Sequence, residues 1–199
     1  MSNRYARRML LAAALCAAWF SGQVLAGMEI AVANTPVSNS KGQFSVQLPA
    51  GWVYQRSGYE VTTSRDGALL NNISFALRKH KKAFPAIKKD STADALPEEL
   101  AENYIADLKS RPGISDVQVV AIEPADLGGQ PAFRVHLTYV LMQEMGGAPF
   151  EQVALGAPLP DYLLIASYAA PRIHFFATYL PAFEESLRTL TLATPDAKR

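Results

Sequence analysis

Cysteine occurs once in 199 residues, at position 16, and histidine three times, at His80, His136 and His174. Cys16 lies inside the apolar stretch Met9 to Phe20, which follows Arg4, Arg7 and Arg8 and leads to Val24-Leu25-Ala26. That layout is the one a secretory leader cleaved near Ala26 would have. A chain starting at Gly27 holds no cysteine, which excludes disulfides, thiol catalysis and cysteine metal sites together. Leu15, not a small residue, precedes Cys16, so a lipid anchor there is not expected.

Long apolar runs are missing as well. The leader's stretch of twelve residues is shorter than the roughly 20 that a spanning helix needs, and no later run approaches that length. No transmembrane segment is expected, and the leader points to a periplasmic or secreted bacterial protein. Charge of one sign is scarce: nineteen Lys and Arg stand against eighteen Asp and Glu, and the leader takes three of the arginines. A slightly acidic remainder carries no footprint for nucleic acid. Glycine-rich phosphate loops are absent, Ser167 lacks the flanking glycines of a nucleophile elbow, and no histidine pair has metal-ligand spacing. Neither a cofactor nor a metal site is implied.

What is present is alternation. Phe44, Val46 and Leu48 predict a strand closed by Pro49-Ala50-Gly51, with Trp52 and Tyr54 following as core residues. Further strands are predicted at Tyr59 to Ser64, Ile73 to Leu77, Val117 to Ala121, Phe133 to Leu141, Phe150 to Leu155 and Tyr162 to Tyr168. The last is continuously apolar, as in a strand covered on both faces. Leu96, Leu100, Tyr104, Ile105 and Leu108 recur at helical spacing behind Pro97-Glu98-Glu99, a favourable helix start, and Arg111-Pro112-Gly113 ends the run. Ile173, Phe176, Leu180, Phe183, Leu187 and Leu190 predict a terminal helix bent near Pro181.

Three strands, a helix, four strands and a helix make an α+β protein. The expected architecture is an antiparallel sheet of six to seven strands with two amphipathic helices packed on it. The expected organisation is a leader at 1–26, a flexible lead-in at 27–41 with a short strand at Ile30 to Val32, one domain at 42–192 and a disordered tail at 193–199.

FSVQLPAGW (residues 44–52), LPEELAENY (96–104), YLLIASYAAP (162–171) and FEESLRTLTL (183–192) together resemble the PsbP-like superfamily. That group includes the extrinsic PsbP subunit of photosystem II and bacterial periplasmic proteins of the DcrB kind. The resemblance implies helices packed on the faces of an antiparallel sheet, and a protein-binding or assembly role without shared catalytic residues. The lack of a lipid anchor departs from the DcrB pattern.

RKHKKAFPAIKK, residues 78–89, is the one strongly charged run. Arg78, Lys79, Lys81, Lys82, Lys88 and Lys89 are the candidate binding residues, suited to an acidic or membrane-associated partner. Two rival readings stay open: charges guarding the β-prone segment Ile73 to Leu77 against edge pairing, or a solvated loop. For catalysis the best candidate is His136, set beside Arg134 and Thr138 on the face opposite Val135 and Leu137. A hydrolase would pair it with a nearby carboxylate; separately, Glu144, Glu151 and Asp161 are expected near one hairpin, where solvated strand ends are their simpler reading. The favoured reading is non-catalytic, with a small-ligand carrier as a further alternative.

Overall fold

The computed structural model describes residues 27–143 and 146–193. The segment expected as a leader, Glu144 and Met145, and the residues beyond Ala193 lie outside the described residues. Among the described residues eleven strands form two sheets, where the sequence pattern suggested six to seven strands in one. They are β1 (Met28–Ile30), β2 (Pro36–Ser38), β3 (Phe44–Gln47), β4 (Val53–Arg56), β5 (Glu60–Ser64), β6 (Asn72–Lys79), β7 (Ile114–Leu127), β8 (Gln130–Gln143), β9 (Gly146–Pro158), β10 (Tyr162–Pro171) and β11 (Thr191–Leu192). Among the described residues the helices are α1 (Pro97–Lys109) and α2 (Phe175–Arg188). The strands absent from the expectation, β2, β4 and β11, have four residues or fewer, too short to show a period. The segment expected as a lead-in contributes β1 and β2.

Eight strands run in the order β1-β4-β5-β6-β10-β9-β8-β7, every neighbouring pair antiparallel. Three more form the small sheet β11-β3-β2. β10 sits at the centre and is buried on both sides, which explains its unbroken apolar sequence. Leu164, Ala166 and Tyr168 face α2 and the small sheet, together with Ile73, Phe75, Phe44, Trp52 and Phe183. Leu163 and Ile165 face α1, with Phe133, Val135, Leu137, Leu100, Tyr104 and Leu108. The protein is therefore layered, with α1 on one side of the large sheet and α2 plus the small sheet on the other.

Pro97 opens α1, Glu98 and Glu99 occupy its first turn and Lys109 its last, each charge favourable to the helix dipole. α2 starts two residues later than the stripe Ile173 to Leu190 suggested. His174 takes φ 73°, which turns the chain, and Ile173 stays outside the helix, 75% exposed. The Tyr168 hydroxyl reaches the carbonyls of Phe175 and Phe176 at 3.0 and 3.1 Å and pins the start of α2 to the sheet. Trp52 is buried, as expected of a core residue, and meets Tyr179 edge-on at 5.3 Å.

Candidate functional site

The basic run leaves the end of β6 and crosses to α1 as a fixed loop. His80 clamps its two ends: Nδ1 lies 2.8 Å from the Ser91 hydroxyl and Nε2 lies 2.8 Å from the Leu159 carbonyl oxygen. A carbonyl only accepts, so Nε2 carries the proton. Arg78 Nη1 donates to the Ala83 carbonyl at 3.2 Å, and the Lys82 amide donates to Asp90 Oδ1 at 2.9 Å. Phe84 and Lys89 exchange amide-to-carbonyl bonds of 3.0 and 3.1 Å.

The middle of the loop is bound to α1 by charge and by apolar burial. Ala83 and Phe84 are completely buried, in the same core as Leu100, Tyr104 and Leu108. The buried carboxylate of Asp107 accepts from the Ala86 amide at 2.7 Å through Oδ1, and from Arg111 at 2.8 and 3.2 Å through Oδ2. Lys89 Nζ donates to Asn103 Oδ1 at 2.9 Å and pairs with Glu99 at 3.5 Å.

This geometry sorts the six candidate cations. Arg78 and Lys89 brace the loop, while Lys79, Lys81, Lys82 and Lys88 are exposed and make no ion pair among the described residues. The edge-guard reading loses its object, because β6 is paired on both sides, by β5 and β10. A freely solvated loop is also contradicted, since Phe84 is core. The edges of the large sheet are the short β1 and the long β7, and β7 is interrupted by two register shifts, by Asp116 at φ 52° and by Pro124, all of which hinder pairing with another strand.

Next to the loop lies a cluster that the sequence pattern did not reveal. Lys41 Nζ donates to Tyr59 Oη at 2.6 Å and stands 4.0 Å from the ring centroid. The Tyr59 and Tyr162 rings are 5.6 Å apart, and Tyr162 pairs across the strands with Lys79. The Tyr59 hydroxyl is pulled below its ordinary pKa, first by the hydrogen bond with Lys41 and next by Tyr162. These residues come from four separate segments, so no local signal could have joined them.

His136 does find a carboxylate. Its Nε2 lies 2.6 Å from Glu151 Oε1, and Arg172 stands 3.9 Å from the same carboxylate. The imidazole is stacked flat on Phe176 at 5.6 Å, with 7° between the planes. Among the described residues no hydroxyl hydrogen-bonds to His136, so a nucleophile for it is not in place. The expected grouping of Glu151 with Asp161 does not occur, because they flank opposite ends of β9.

Two open clefts lie at the margins. One of about 560 Å³, crossed by the Arg134–Glu184 ion pair, separates the β7–β8 turn from the end of α2. The other, about 530 Å³, lies along β4 and β5 beside Met28, Ala68 and Asn72, whose buried Oδ1 has no partner among the described residues. Large buried side chains pack between each helix and the sheet, and the first of these clefts opens at the margin of the α2 interface, between Glu184 and Leu187 of the helix and Arg134 and Leu155 of the sheet. Among the described residues no group of three or more His, Cys, Asp or Glu is placed to hold a metal, and no helix is long and apolar enough to cross a membrane.

No family model matches the chain, and no curated protein is similar to it in sequence. Solved structures are. Cyanobacterial PsbP (CyanoP) from Synechocystis sp. PCC 6803 superposes with a TM-score of 0.53 at 12% identity, over 86% of this chain and 96% of that one. The Saccharomyces cerevisiae Ran-binding protein Mog1p gives 0.54 at 13%, over 81% and 96%. A Pseudomonas aeruginosa protein of unknown function, PA94, described as a putative regulator, gives 0.50 at 12%, over 80% and 97%. At these identities the likeness establishes the fold.

Proposed function

We propose that this chain, which has the fold shared by PsbP and Mog1, is a non-catalytic binding or assembly module, exported to the periplasm or secreted, that works through protein–protein contacts. The observation that carries the reading is the loop 80–91, whose apolar plug and hydrogen bonds fix its shape with Lys81, Lys82 and Lys88 exposed beside Lys79 at the end of β6, while Arg78 and Lys89 are used internally. A loop fixed before contact loses little conformational freedom on binding. The leader supports export, and the Ran-binding name of Mog1p shows that one protein of this fold is described as a protein binder.

A second reading, a small hydrolase, draws on the 2.6 Å contact between His136 and Glu151. The stacked Phe176 and the missing hydroxyl favour a structural role for that pair, bracing α2 against β8 and β9. Crosslinking in vivo with a tagged chain tests the main reading. Changing Lys79, Lys81, Lys82 and Lys88 to Glu should remove captured partners in a salt-sensitive way. An unchanged set of partners would take the loop out of the contact surface.

A further inference from the structure

Lys41, Tyr59, Lys79 and Tyr162 stand at the same end of the large sheet as the basic loop, Tyr59 and Tyr162 on the α2 side of it and the loop's Ala83 and Phe84 on the α1 side, with backbone pairing linking the two across the sheet end. Lys41 bonds to Tyr59, the ring of Tyr59 meets that of Tyr162, and Tyr162 pairs with Lys79. The Leu159 amide donates to the Tyr162 carbonyl at 2.8 Å, and the Leu159 carbonyl receives the His80 N–H at 2.8 Å. Around this series Lys41, Lys79, Lys81, Lys82 and Lys88 are exposed, against the acids Asp161 and Asp90. One oxygen of Asp90 is already taken by the Lys82 amide.

Resting on the reading of the loop as a contact surface, we infer that Lys41, Tyr59, Lys79 and Tyr162 join Lys81 and Lys82 in one binding face for an acidic peptide segment of a partner protein. Ammonium and phenol groups are directional donors, suited to receiving side-chain carboxylates one at a time. Lys41 is already oriented by Tyr59, so docking immobilises one flexible side chain fewer. An anionic membrane is the poorer fit. Interfacial binding also buries apolar side chains, and none of the large exposed apolar residues, from Met28 to Ile173, belongs to this face.

The test is anisotropy of a fluorescein-labelled dodecapeptide of alternating Glu and Gly, titrated with the chain beginning at Gly27 at low and at physiological salt. Saturable, salt-weakened binding is expected. Each exposed charge contact contributes up to about fivefold in affinity, so Lys41→Ala with Lys79→Ala should weaken binding by up to roughly 25-fold. Tyr59→Phe should weaken it further, and Arg172→Glu, at the opposite end of β10, should leave it unchanged.

If Lys81→Glu, Lys82→Glu and Lys88→Glu abolish binding while Lys41→Ala with Lys79→Ala does not, the extended face is wrong and the loop reading survives. If neither set changes it, both fall. Equal loss from Arg172→Glu would reduce the effect to bulk charge and overturn the inference. So would an absence of peptide binding, or cosedimentation with phosphatidylglycerol vesicles in its place.

Discussion

Phe84→Ala asks whether an apolar plug holds the lysine loop in shape. Phe84 is fully buried between the large sheet and α1, while its neighbour Pro85 is exposed. A buried aromatic residue withdraws about 150–250 Å² from water, roughly 4–6 kcal/mol at about 25 cal/mol per Å². Phe→Ala truncations in cores typically cost about 3–5 kcal/mol. The loop side of this site can settle into the space vacated, so the lower end, about 3 kcal/mol, is expected. Urea unfolding of the chain from Gly27 should show this as a lowered midpoint at unchanged slope. Hydrogen exchange should show the amides of Phe84 and Lys89, now bonded to each other's carbonyls, losing protection. Ile87→Ala, at a half-buried position on the same loop, should cost only about 1 kcal/mol. A loss below 1 kcal/mol with the Lys89 amide still protected would refute the plug and leave the polar clamps as the cause of the loop's shape.

Alkaline stability follows from three buried phenols. Burial pushes Tyr104, Tyr139 and Tyr168 above their ordinary value of 10.0. Below pH 10 both folded and unfolded chains keep these protons, and the stability is intact. Above it the unfolded chain sheds protons that the folded chain retains, so stability falls by about 1.4 kcal/mol per pH unit for each tyrosine, about 4 for the three. Urea midpoints that stay flat between about pH 9 and 11 would contradict this. Gly156→Ala is a separate test of packing: the added carbon would overlap the Phe133 ring and lie 2.9 Å from Ile165. A cost of about 1–3 kcal/mol is expected by thermal or urea unfolding, and a neutral result would mean that Phe133 can yield.

The residue pattern and the structure agree where a segment is long enough to declare its period. α1 is legible from Leu100, Tyr104 and Leu108, and β10 from its continuous apolar run, because each buries a whole face or both faces. β1 and β11 are held by strands that are not their sequence neighbours, β2 and β4 by the strands that follow them, and runs of two to four residues are too short to declare a period. Phe84 carried a signal of its own, a bulky apolar residue among lysines, but its depth depends on α1 arriving above it. The carboxylate partner of His136 was foreseeable in kind, whereas the flat stacking of Phe176 on its ring comes from α2, forty residues later. Tyr59 and Tyr162 meet because β5, β6 and β10 lie side by side, and Lys41 reaches them because the β2–β3 turn bonds to Ser57 and Gly58 through Ser40 and Asn39.

The pairing of β11 with β3 joins residues 191–192 to residues 44–45. Ser45 and Thr191 hydroxyls meet at 2.7 Å, and the Ala193 amide reaches the Gln43 carbonyl at 2.9 Å. The first of the strongly alternating strands thus waits for the last strand before its sheet is complete. Closing a pair so far apart in sequence carries a large loop-closure entropy, and the small sheet is complete only with its C-terminal strand in place. In a polypeptide that emerges N-terminus first, such a clasp can close only after the last strand has emerged.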